Sequence, residues 1–293
     1  MTISLCGLGN MGGAIASRLA EHDAVLAYDL DETRVAVATK HPNVRAVELD
    51  VLTSSDVVML SLPAPGISLQ VVSQLVGKMK PGSVIVETST VNPTDIHEQM
   101  RLCDPFGVGL VDAAILSGVA QMASGQATLL VGGRPSDVDR ATPALEAISA
   151  RIMRFGAPGG GMAAKVINNA VAHAVMVVLV EAGAMAAATG VSGDELIELL
   201  SEPDAGLMRP LTHRFAERIL RGEYDGGMPT EAALKDSRLA LALAQEAGVP
   251  LFGVQGAHTV YELGVANGLA RLDYSAIATM WEQWTGRPMA EKA

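Results

Sequence analysis

Along the first 155 residues, short uninterrupted apolar runs alternate with segments whose apolar positions recur at helical spacing. Ile3-Ser-Leu-Cys6, Ala24 to Tyr28, Val57 to Leu60, Val84 to Val86, Val108 to Val111 and Thr128 to Val131 read as strands. This alternation predicts an α/β fold, a Rossmann-type doubly wound parallel sheet. Pro63 with Pro65-Gly66, Pro81-Gly82 and Gly132-Gly133 punctuate it as loops. Several of these should lie at the carboxyl edge of the sheet, where ligands of open α/β sheets bind.

The pattern breaks at Ala157-Pro-Gly-Gly-Gly161. Beyond it, Met162 to Thr189 reads as one helix of 28 residues, about 42 Å long at 1.5 Å per residue. Gly190 ends it, and Ser192-Gly-Asp-Glu195 has the form of a capping box opening the next helix. Leu234 to Ala247, Gln255 to Asn267 and Tyr274 to Thr285 continue with helical periodicity. The expected organisation is a first domain over residues 1–160 and an all-helical second domain over 161–293, joined by the long helix.

The chemistry begins at the amino terminus. Ile3 to Cys6 runs into Gly7-Leu8-Gly9-Asn10-Met11-Gly12, a G-x-G-x-x-G turn between a strand and a helix. Its glycines permit the tight turn, the approach of a pyrophosphate and close packing of helix on strand. The second strand ends at Asp29, 17 residues beyond Gly12, which fits the acid that accepts from a ribose diol and repels a 2′-phosphate. The expected cofactor is therefore NAD in preference to NADP, although Arg34 stands close by. Leu62 and Pro63, in the loop after Val57–Leu60, complete the cofactor-binding residues expected on this side.

A second feature lies on the long helix. Gly161, Lys165 and Asn169 stand four residues apart and form one stripe. A lysine within an apolar run is partly desolvated, which lowers its pKa and makes it a usable proton donor or acceptor. His173 shares the stripe and reads as a packed, hydrogen-bonded helix histidine.

With 293 residues and 49% hydrophobic content, the chain is long enough for one large or two ordinary cores. Its net charge of −11 opposes a nucleic-acid partner, which wants a basic face. The run Ala170 to Val180 is interrupted by His173 and closed by Glu181, short of the about 20 apolar residues that span a bilayer. With no basic segment ahead of the first strand, a cytoplasmic, membrane-free protein is expected. Cys6 and Cys103 form no C-x-x-C pair, and the six histidines show no metal-ligand spacing. No metal is expected.

Over essentially its whole length the chain resembles the β-hydroxyacid dehydrogenases, the family of 3-hydroxyisobutyrate dehydrogenase and tartronate semialdehyde reductase. Gly7 to Gly12 is similar to the family's cofactor loop, Glu87-Thr-Ser-Thr90-Val-Asn-Pro93 to its nicotinamide-side loop and Gly161-x-x-x-Lys165-x-x-Asn168-Asn169 to its catalytic helix. Lys235-Asp236 resembles a later lysine-aspartate motif. The resemblance implies that Lys165 exchanges a proton with a substrate hydroxyl, that Asn169 orients substrate, that Thr90 lies at the cofactor, and that Lys235 lies near cofactor and substrate.

The family's substrate loop typically reads D-A-P-V-S-G-G, whereas this chain has Asp112-Ala-Ala-Ile-Leu116-Ser117-Gly118. Without a gap Leu116 stands at the serine; with a one-residue slip Ser117-Gly118 is the match. These three residues are the expected substrate contacts in one register or the other. The implied activity is hydride transfer between NAD and the hydroxyl carbon of a small 3-hydroxy acid, by a homodimer or homotetramer. Two other readings stay open: an imine reductase, a related group that as a rule lacks the lysine, and a dinucleotide-binding sensor without turnover. Steady NADH formation with a hydroxy acid would exclude the sensor.

Overall fold

The computed structural model describes residues 1–204 and 206–290. The chain divides into two compact units, Met1–Ala170 and Val171–Ala293. The division falls inside the long helix, beyond the glycine run named from sequence.

The first unit opens with β1 (Ile3–Cys6), α1 (Asn10–Ala20), β2 (Val25–Tyr28), α2 (Glu32–Ala38), β3 (Val44–Ala46), β4 (Val57–Leu60), α3 (Pro65–Leu75), β5 (Val84–Glu87) and α4 (Pro93–Cys103). It continues with β6 (Gly109–Ile115), α5 (Val119–Ala123), β7 (Ala127–Gly133), α6 (Pro135–Ile148), β8 (Ser149–Arg154) and the start of α7 (Gly160–Thr189). The strands form one sheet in the order β3-β2-β1-β4-β5-β6-β7-β8. Every residue of β1, β4, β5 and β6 is buried, as continuous apolar runs require when helices cover both faces. One face packs Leu5, Ile15, Leu19, Met59, Val86 and Leu145; the other packs Leu60, Leu75, Ile85, Ile96, Leu110 and Met162.

The sheet departs from expectation in two ways. Strands β3 and β8 lie at its two edges and carry Arg45, Arg151 and Arg154 among few fully buried side chains, so their apolar signal is weak. The second departure is the pairing of β6 with β7, which is antiparallel. Only residues 116–126 connect them, fewer than the dozen or so that a parallel crossover needs.

In the second unit the rest of α7 is followed by α8 (Gly193–Ser201), α9 (Thr230–Ala247), α10 (Gly253–Ala266) and α11 (Ala278–Thr285). The capping box forms as expected: Ser192 Oγ accepts from Glu195 N at 3.2 Å, and Glu195 Oε2 accepts from Ser192 N at 2.8 Å. Tyr274 to Ile277, expected as the start of the last helix, forms a separate 3₁₀ turn ahead of α11, where Asp273 accepts from Ser275 N at 3.0 Å. Buried Glu181 of α7 accepts from the amides of Phe252, Gly253 and Val254 at 2.5, 2.8 and 3.1 Å, closing the amino end of α10. Those amides hold its carboxyl below the usual glutamate range against the opposing effect of desolvation.

Helix α7 has 30 residues and a window of mean hydropathy 1.9, so by length and composition it is long and apolar enough to cross a membrane. The membrane-free expectation rests on the shorter run Ala170 to Val180 inside it. Its apolar side chains are largely uncovered within the chain: Ile167, Val171, Met176, Val177 and Val180 are all exposed. His173 is exposed as well, not packed.

Candidate active site

The strand order brings most of the expected cofactor residues to one place, Leu8, Thr90 and Lys235 not being among those that line it. The turn after β1 and the start of α1 meet the loops after β2 and β4 around a cavity of about 590 Å³ lined by Gly7, Gly9, Asn10, Met11, Gly12, Asp29, Leu62 and Pro63. Tyr28, Arg34 and Ser61, which the sequence reading did not place there, line it too. Gly7 has φ +98°, and a Cβ there would overlap Ser61 O; one on Gly12 would overlap Gly7 O. The turn is thus closed to side chains and leaves backbone for a ligand to approach. Helix α1 begins at Asn10 without a side-chain cap, so its first amides point outward as donors for an anion. A dinucleotide pyrophosphate fits this cradle.

Leu8 is buried, and its amide donates to Asp29 Oδ2 at 2.6 Å, while Asp31 N donates to Asp29 Oδ1 at 2.8 Å. The acid is held by backbone and retains lone pairs for a further donor. Arg34 approaches it, with Nη1 3.8 Å from Asp29 Oδ2. Thr90 lies exposed three residues beyond the end of β5.

Lys165 stands on α7 within the first unit, half-buried, and desolvation pulls its ammonium below the usual lysine range. Asn169, one turn on, is also half-buried, and its Oδ1 accepts from Asn168 Nδ2 at 3.5 Å. The start of this helix is fixed from the sheet. Asp112 of β6 is fully buried and accepts from Gly159 N at 2.7 Å and Met162 N at 2.9 Å. A Cβ on Gly161 would overlap Leu130 O, so the glycine run serves close packing of α7 on the sheet. Burial raises the Asp112 carboxyl above the usual range even as these amides oppose the shift. Its role escaped the sequence reading, although a buried acid opposite a glycine run was the available signal.

In the substrate loop, Leu116 is half-buried against the core. The Ser117 hydroxyl donates to Leu116 O at 2.6 Å and accepts from Thr128 N at 3.0 Å; Gly118 is exposed and precedes α5. Lys235 belongs to the second unit: it is exposed on α9, with Nζ 2.9 Å from its neighbour Asp236.

A Rossmann sheet with a glycine cradle, a backbone-held acid and a desolvated lysine on the helix that leaves the sheet defines a nicotinamide dinucleotide-binding oxidoreductase. The family described as the NAD binding domain of 6-phosphogluconate dehydrogenase matches residues 2–156, and that described as NAD-binding of NADP-dependent 3-hydroxyisobutyrate dehydrogenase matches residues 159–281. The chain belongs to the β-hydroxyacid dehydrogenase family. It is 31% identical over 290 residues to the 2-(hydroxymethyl)glutarate dehydrogenase of Eubacterium barkeri, covering 97% of this chain and 96% of that one. Among solved structures it is similar to 3-hydroxyisobutyrate dehydrogenase of Mycobacterium tuberculosis with L-serine, at 26% identity and TM-score 0.67 over 96% of this chain and 98% of the other. It shares its fold with an imine reductase from Pseudomonas sp., at 19% identity and TM-score 0.85 over 96% and 99% of the two chains.

Proposed function

We propose that the protein oxidises a small 3-hydroxy acid with NAD, or reduces the corresponding carbonyl with NADH, using Lys165 as general acid and base. When bound, the nicotinamide ring supplies the acceptor or donor of the hydride. In oxidation, neutral Lys165 takes the hydroxyl proton as the hydride leaves the carbinol carbon; in reduction, the ammonium returns that proton to the carbonyl oxygen. Such proton transfer contributes about 10² to 10⁴ in rate. Asn169 orients the reacting oxygen, residues 116–118 hold the carboxylate, and Lys235 adds positive charge. The observation that carries the reading is the half-buried, pKa-lowered Lys165 on a helix start clamped to the carboxyl edge of the sheet by Asp112.

The second unit, with the outer part of α7, serves substrate binding and oligomerisation. The uncovered apolar side of α7 meets a second copy of the chain in a homodimer or homotetramer. Lys165, Asn168, Asn169, His173 and Glu181 interrupt the apolar sequence of the helix and disfavour a lipid surrounding, so we place the protein in the cytoplasm. Asp29, fixed by the Leu8 and Asp31 amides, favours NAD over NADP.

A screen of small 3-hydroxy acids with NAD, repeated on Lys165→Met, tests the activity. NADH formation by the wild type that the variant loses supports it. Turnover of cyclic imines but of no hydroxy acid would favour an imine reductase instead, and dinucleotide binding without any turnover would favour a sensor.

A further inference from the structure

Glu87 is a fully buried acid that the proposed reaction leaves unused. It is the last residue of β5, and its side chain is 0% exposed. Its Oε1 accepts from Ser89 N at 2.9 Å and its Oε2 from Gln99 Nε2 at 3.1 Å. Ser68 and Ser89 are buried as well, and Ser68 Oγ has no hydrogen-bond partner among the described residues. Ser89 then reaches outward, where its Oγ accepts from Leu62 N at 2.8 Å. Leu62 lines the dinucleotide cavity. Between the two, Thr88 closes the strand end through its hydroxyl and its amide, both donating to Leu60 O, at 2.6 and 2.9 Å.

A carboxyl buried without a cation costs free energy that an apolar side chain in the same place would not. Burial raises the pKa of Glu87, favouring the neutral acid, and the nearby buried Gln99 Oε1 has no hydrogen-bond partner. A turned Gln99 amide would present that oxygen to the acid's proton. The strands on either side give the group its meaning. Asp29, at the end of β2, lies on one side of β1, and the loops after β4 and β5 lie on the other. A dinucleotide crossing at the glycine turn, with its adenosine ribose at Asp29, directs its nicotinamide half to the β4 and β5 loops.

We propose that Glu87 is a positioning residue for the nicotinamide half of the cofactor: through Ser89 it locks the Leu62 loop and the Thr88–Thr90 loop into one surface. This rests on the dinucleotide reading of the cavity. The chain of contacts runs from the Leu62 amide to the Ser89 hydroxyl and from the Ser89 amide to the carboxyl, so removing either side chain frees the loops while leaving the glycine turn and Asp29 untouched.

The test compares calorimetric affinities of the full chain for NAD and for ADP-ribose, which has the same adenosine and pyrophosphate but no nicotinamide. In Ser89→Ala and Glu87→Ala, NAD should weaken about three- to tenfold while ADP-ribose changes less than about twofold, as expected for one lost hydrogen bond. Ser89→Ala is the smaller change and decides the matter if Glu87→Ala does not fold. Equal weakening of both nucleotides, or of neither, in the folded variants overturns the proposal. A wild-type chain that binds neither nucleotide overturns the dinucleotide reading itself.

Discussion

Glu87 and Asp112 are register partners on the neighbouring parallel strands β5 and β6, and their two buried carboxyls hold different parts of the candidate site. Glu87 accepts from the loop that follows its own strand; Asp112 accepts from the first turn of α7. The cofactor-side loops and the lysine-bearing helix are thus referenced to adjacent positions of one rigid sheet.

Asp112→Ala should cost about 2–4 kcal/mol, because two amides at a buried helix start lose an acceptor. It should also lower kcat, since Lys165 follows Met162 by less than one helical turn. Denaturant unfolding beside kinetics on the folded variant checks this; wild-type stability would mean that the helix start is held by other contacts.

Lys165→Met should reduce kcat at least about a hundredfold with little change in NAD affinity. The wild-type pH profile has a defined sign. Oxidation needs the neutral amine and rises with pH, with a midpoint below the about 10.4 of an ordinary lysine, because burial lowers this one. Reduction needs the ammonium and falls through the same midpoint. Persistence of that limb in the methionine variant would assign it to another group.

Cofactor preference should favour NAD by at least about tenfold in kcat/KM, since a 2′-phosphate would meet the fixed Asp29 carboxylate. Asp29→Asn should narrow the gap by removing the repulsion while Arg34 remains. Steady-state kinetics with both cofactors decides; wild-type preference for NADP would give Arg34 the controlling role.

Light scattering at micromolar concentration, without detergent, should give at least twice the mass of one chain. Met176, exposed on α7, lies on the apolar surface that a second copy would cover. Met176→Glu should shift the population toward single chains, and a wild-type protein already running as a single chain would contradict the dimer.

Leu116→Ser should raise kcat/KM for the smallest 3-hydroxy acids about tenfold if Leu116 occupies the carboxylate-binding position, by restoring a hydrogen bond and removing bulk. The Ser117 hydroxyl is already engaged with Leu116 O and Thr128 N. Little change in kinetics would place the carboxylate at Ser117 and Gly118 instead.

The central strands, the glycine turn, Asp29 and the long helix were legible because each follows from local pattern: a continuous apolar run, fixed glycine spacing, helical periodicity. The edge strands β3 and β8 were not, since a half-exposed strand of arginines and small residues has no alternation to detect. The antiparallel turn of β7 depends on the length of its connection rather than on its own residues. Asp112 and Glu87 looked like parts of motifs, and what their carboxyls hold depends on amides brought in from the start of α7 and from the loops after β4 and β5. That Met176 and Val180 are uncovered escapes periodicity altogether, because an apolar helix face has the same pattern whether or not the rest of the chain covers it.

The clamp at the start of α7 is built from a strand carboxyl and from the missing side chain of Gly161, whereas Leu116, Ser117 and Gly118 lie beyond the end of β6. The part that fixes the start of the Lys165 helix and the loop expected to choose the substrate therefore share a strand but not their hydrogen-bond partners. Under the proposed roles, Ser117 and Gly118 can vary to change which acid is accepted while the Asp112 clamp stays in place. Leu116, by contrast, packs in the same core cluster as Met162 of α7 and so ties a change of specificity to the helix that carries Lys165.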